Sequence, residues 1–178
     1  LKIYREFQQG HKYQMGVDCA EGGGGDNASI TIADLTSLEV AAHWFGQSPV
    51  DSVAERAVDY ARLYSKSSYG GESCLIVPEM NSMGLALLNK LKESGWERIY
   101  QREEMDNKLG KKTLKLGWRT TAQTKPLLIS NFKHLVRNFD VRLHSKETLS
   151  ELRAFIWSDE SKKKGAGAKG GFHDDNVI

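Results

Sequence analysis

The stretch YQMGVDCA at 13–20, followed by EGGGGDN at 21–27 and ASITIAD at 28–34, decides how this chain is read. The first run is short and apolar, as a buried strand is, and the glycine-rich segment breaks it. ASITIAD then alternates with the two-residue period of a second strand. A turn-like LTS leads to LEVAAHWFG at 38–46, a third strand. Three strands joined by short connections predict an antiparallel meander that opens a sheet.

Outward from this meander the periodicity changes. In VDSVAERAVDYARLYSKSS, beginning at Val50, apolar residues Val50, Val53, Ala54, Ala57, Val58, Ala61 and Leu63 or Tyr64 recur at helical spacing, after Ser48 and Pro49. CLIVP at 74–78 reads as a buried strand and MNSMGLALLNKLKESG as the helix after it, so the connection is an α/β crossover. A short strand near Arg98–Gln101 and TLKLGWR at 113–119 flank the polar loop EEMDNKLGKK. A helix is expected from Thr121 to Asn138 with Pro126 in its first turn, then a brief strand at 141–143, a helix at 146–154, a strand at 155–158 and the loop ESKKKGAGAKGG. The expected class is α/β: a mixed central sheet with helices on both faces, in a single domain spanning 1–178. The chain stops at HDDNVI where an apolar helix begins, which predicts a piece cut from a longer polypeptide.

Composition narrows the function. The 178 residues carry 25 Lys+Arg against 23 Asp+Glu, with 39% hydrophobic residues, an ordinary globular balance that needs no staple to fold. No apolar stretch reaches the roughly 18 residues of a membrane helix, so a membrane role is not expected. Cys19 and Cys74 sit inside apolar runs without CxxC spacing and read as reduced core residues. The small net charge hides a polarity: residues 1–106 are net −6 and residues 107–178 net +8. From 107 to 139, Lys108, Lys111, Lys112, Lys115, Arg119, Lys125, Lys133 and Arg137 occur with no acid among them, which points to a polyanion.

Acids end both core strands. Asp18 closes the first and Glu79 follows CLIVP, while Asp174 and Asp175 come after the late glycine-rich loop. Carboxylates at buried strand ends are costly unless paired or bound to a cation. If the strands are neighbours, the clusters meet at one end of the sheet, and oxygen ligands without zinc-like Cys or His favour magnesium or manganese. Two such ions can activate a water and stabilise a leaving oxygen in phosphodiester cleavage, with the basic half holding substrate phosphates.

These motifs, GVDCAEGGGGDNASITI, VPEMNSMG and GGFHDDNVI, resemble in order and spacing the nuclease domain of the large terminase subunit of tailed bacteriophages, from about Tyr13 to Ile178. The resemblance implies an RNase H-like fold and a Mg2+- or Mn2+-dependent endodeoxyribonuclease that cuts concatemeric viral DNA during packaging, with little sequence specificity. It makes Asp18, Glu79, Asp174 and Asp175 the catalytic metal ligands, with His173 beside them. Lys108, Lys111, Lys112, Lys125, Lys162, Lys163 and Lys164 would hold double-stranded DNA. Asp26 suits a turn, and Asn81 and Gly84 suit capping and close packing. In such proteins the domain follows an N-terminal ATPase and works with a small terminase subunit and a portal in the cytoplasm of the infected bacterial host. No GxxxxGK[ST] loop occurs, so the chain is not itself the motor. Alternatives are another RNase H-like nuclease or resolvase, an actin-like phosphotransferase using the GGGG loop, or a non-catalytic DNA-binding packaging module.

Overall fold

The computed structural model describes residues 1–19, 27–65, 73–106, 110–158 and 165–168. Its centre is a five-stranded sheet in the order β1-β4-β3-β2-β5. The strands are β1 (Lys2–Ile3), β2 (Tyr13–Asp18), β3 (Ala28–Asp34), β4 (Glu39–Gly46) and β5 (Leu75–Pro78). β2, β3 and β4 pair antiparallel, as the alternating stretches predict, whereas β5 joins β2 in parallel after helix α1 (Val50–Leu63). Register assigns the two faces. Met15 lies opposite Ile32 and Ile76, and Val17 opposite Ile30 and Pro78, so these side chains share one face. On it pack Val53, Ala54, Ala57, Val58 and Ala61 of α1, together with Leu87, Leu88 and Leu91 of α2 (Gly84–Glu93). The alanines bring α1 close to the sheet, and burial of each larger aliphatic side chain contributes about 1.5–3 kcal/mol.

The opposite face is more polar. Gly16 lies opposite Thr31 and Val77, His43 opposite Thr31, and Asp18 opposite Ser29. Over this face lie α3 (Thr124–Arg137) and the start of α4 (Lys146–Ala154), which together with the sheet enclose a cavity of about 430 Å³. The β5 edge is extended by short parallel bridges, Ile76 to Ile99 and Glu79 to Trp118.

Three expectations change. The brief strand expected at 141–143 is a single parallel bridge from Arg142 to Glu39. EEMDNKLGKK is not simply a loop: β6 (Gln101–Asp106) and β7 (Lys111–Leu116) form an antiparallel hairpin that places Asp106 opposite Lys111. Glycine-rich 165–168 is a strand, β9 (Gly165–Ala168), because its backbone pairs with β8 (Phe155–Ser158) whatever its side chains lack. Cys19 and Cys74 are free and buried, as expected. Burial, and for Cys19 the neighbouring Asp18 carboxylate as well, pushes both thiols up to about 12, so neither is a nucleophile at neutral pH. Among the described residues no helix is long and apolar enough to cross a membrane.

Candidate metal centre at the ends of the central strands

Asp18 and Glu79 come together because β2 and β5 are parallel and in register. Val17 pairs with Pro78, and the Glu79 amide donates to the Val17 carbonyl at 2.8 Å. The next residue of each strand is an acid, which puts the two acids side by side about 4.8 Å apart at the backbone. Both are half-buried, and both line the cavity.

The backbone under Glu79 is tightly constrained. The Met80 amide donates to the Trp118 carbonyl at 2.7 Å, and the Trp118 amide to the Pro78 carbonyl at 2.8 Å. Gly117 has φ +76°, and a Cβ there would lie 2.8 Å from the Pro78 oxygen, so only glycine passes this point. Asn81 does not cap α2. Its Nδ2 donates to Glu79 Oε1 at 2.9 Å and to the Thr120 carbonyl at 3.0 Å. Trp118 Nε1 and Thr120 Oγ1 are buried without a hydrogen-bond partner among the described residues, a cost of about 1–3 kcal/mol each. Stability is given up on the segment that supports the carboxylate.

The basic residues are arranged differently from their sequence order. Lys112 Nζ lies 2.7 Å from Glu103, so the acid-free stretch is partly neutralised by the strand folded against it. Both partners are exposed, and such a pair contributes at most about 1 kcal/mol. Lys111 is exposed on the same hairpin. Lys125 lies three residues before Leu128, which lines the cavity with Phe132, so helical spacing puts the lysine on the same stripe of α3. Lys108, Lys162, Lys163, Lys164, His173, Asp174 and Asp175, together with Asp26, lie outside the described residues.

Sequence reasoning missed the cavity walls. Tyr100 and Trp118 line it with ring centroids 6.3 Å apart, and so does His144, whose Nε2 lies 2.6 Å from Glu39 Oε1. Glu39 is buried and also accepts from Arg5 Nε at 3.1 Å. This cluster ties the α3–α4 connection to β4. A second buried acid, Asp34, holds His11 Nδ1 at 2.6 Å and the Thr36 amide at 2.8 Å.

Burial alone raises the Asp34 and Glu39 carboxyls. The hydrogen bonds of His11, Thr36 and Ser37 to Asp34, and those of His144 and Arg5 to Glu39, outweigh burial and hold both below their ordinary 3.8 and 4.5. A depressed carboxyl stabilises the fold above its unfolded value, and that contribution is lost as pH falls through the folded value. Urea midpoints should therefore fall on acidification below those ordinary values, and less steeply in Glu39→Gln. An unchanged acid slope in that variant would contradict the assignment.

The donor set fits a hard divalent cation. Among the described residues it consists of two carboxylates, and no third His, Cys, Asp or Glu joins them in a metal-holding group. Magnesium is commonly held by one or two carboxylates, with waters and substrate phosphate completing its shell.

No family model matches the sequence. Among solved structures, the large terminase nuclease from thermophilic phage G20c superposes at TM-score 0.73 and 20% identity, covering 98% of this chain and 82% of that one. Its magnesium-bound form gives TM-score 0.75 and 19% identity, covering 98% and 81%. The Thermus phage P74-26 large terminase nuclease domain gives 0.69 and 18%, covering 98% and 79%. The chain has the large terminase nuclease fold. This agrees with the RNase H-like fold that the resemblance implies, a mixed five-stranded sheet with flanking helices. The phage G20c nuclease has also been solved with bound cobalt and with bound zinc.

Proposed function

We propose that this chain is a metal-dependent endodeoxyribonuclease that cuts concatemeric viral DNA during genome packaging. The observation that carries the reading is the register-enforced juxtaposition of Asp18 and Glu79 at the ends of parallel strands, in a fold shared with phage terminase nucleases. Asp18 and Glu79 would hold Mg2+ or Mn2+, with Asp174 and Asp175 completing a two-metal site and His173 beside it. The ions would supply positive charge for the reacting phosphate and make a bound water more acidic. Hydrolysis breaks one P–O ester bond: water gives its oxygen to phosphorus and a proton to the departing oxygen.

The chain's own part is to place the two carboxylates, exclude bulk water with the α3 side of the cavity, and hold the duplex. Lys108, Lys111, Lys112, Lys125 and Lys162–Lys164 would contact phosphates, which position DNA without reading its sequence. In this reading the chain is one domain of a longer protein with an N-terminal ATPase, working with a small terminase subunit and a portal in the infected host's cytoplasm.

The test is nicking of supercoiled plasmid by the purified chain. Cleavage is expected with Mg2+ or Mn2+, to stop on adding EDTA, and to return when metal is restored. Equal cleavage in EDTA, or none at any metal concentration, overturns the proposal.

A further inference from the structure

Asn81 was expected to cap α2, yet the residue at the N-cap position of that helix is Met83 and no side chain caps it. The Asn81 amide instead spends its donors on two acceptors far apart in sequence: Glu79 Oε1 at 2.9 Å and the Thr120 carbonyl at 3.0 Å. Because a carbonyl can only accept, the bond to Thr120 sets which end of the amide faces Glu79. The turn holding Asn81 is itself constrained. Ser82 has φ +47°, the Gly84 amide donates to the Asn81 carbonyl at 2.8 Å, and Met80 is held by Trp118.

We propose that Asn81 is a positioning residue for the metal centre, orienting the Glu79 carboxylate by tying it to the 117–120 segment. A glutamate has three side-chain torsions to immobilise before it can serve as a fixed ligand, and Asn81 immobilises them before any cation arrives. The tie also links the carboxylate to the segment between the β6–β7 hairpin and α3, which carry Lys111, Lys112 and Lys125. The inference rests on the metal-dependent reading above, so its test separates the two.

Mn2+ affinity is measured without DNA, by calorimetry and by the spin-resonance signal of free Mn2+, for the parent, Asn81→Ala, Glu79→Ala and the double variant. Asn81→Ala is expected to weaken Mn2+ binding about 10- to 100-fold, the usual loss when a ligand's supporting partner is removed. The double variant should bind no worse than Glu79→Ala alone, because Asn81 acts through Glu79. In cleavage assays the half-saturating Mn2+ concentration rises while the rate at saturating Mn2+ stays close to the parent's. Asn81→Leu keeps the volume without a donor and should behave alike, so a folding defect peculiar to alanine cannot mimic the result. Parental Mn2+ affinity in both Asn81 variants, with binding lost in Glu79→Ala, overturns the positioning role and leaves the metal reading standing. Parental affinity in Glu79→Ala overturns both.

Discussion

Plasmid cleavage by Glu79→Gln and by Asp18→Asn is expected to fall at least about a thousandfold, equivalent to roughly 4 kcal/mol of barrier, while the melting temperature holds. Each substitution keeps shape and removes charge. In Glu79→Gln the new side-chain amide would still offer an oxygen to Asn81, and the backbone bond from residue 79 to the Val17 carbonyl does not involve the side chain. The fold therefore has no reason to change, whereas an uncharged amide oxygen holds a hard cation more weakly than a carboxylate does. Both acids stand on neighbouring strands of one sheet, so the variants should fail together and the double variant should be scarcely worse than either single one. Cleavage at half the parental rate in manganese by either variant would remove that acid from the chemistry.

Gly84→Ala should produce the second-largest effect, through the backbone. A Cβ at Gly84 would collide with the Glu79 carbonyl oxygen and lie 2.9 Å from its carbon, and main-chain atoms cannot swing aside as a side chain can. Either α2 or the Glu79 peptide must move. Overpacking of this kind costs about 1–3 kcal/mol, and a displacement near 1 Å at a catalytic group can cost about a hundredfold in rate. We therefore expect a lower melting temperature together with a loss of cleavage much larger than the stability change explains. Gly46→Ala is the control, since the nearest atom its Cβ would meet is on the Trp44 side chain at 3.6 Å. Equal cleavage by the Gly84 and Gly46 variants, measured well below both melting temperatures, would show that the carboxylate tolerates movement of its support.

The sequence by itself determined the core strands and the helices packed on them, but not the β6–β7 hairpin or β9. Alternation in 28–34 and helical spacing in 50–63 are local signals, because side-chain direction repeats every two residues in a strand and every 3.6 in a helix. The two strand-ending acids were legible for the same reason: a carboxylate directly after a buried run is conspicuous in one dimension.

What only the tertiary structure decided is who meets whom. Lys112 belongs to an acid-free stretch in sequence, but hairpin closure sets it against Glu103, so part of the apparent basic surface is internally balanced. His144 meets Glu39 across 105 residues, and Asn81 meets Thr120 across 39. Asn81 followed by a helix has the form of a cap in sequence, and its donors went elsewhere because folding brought the Thr120 carbonyl within reach, beside the carboxylate of Glu79 two residues away. Such bonds depend on which strands become neighbours and in what register, and that is settled by burial of the whole core, which no local window of sequence contains.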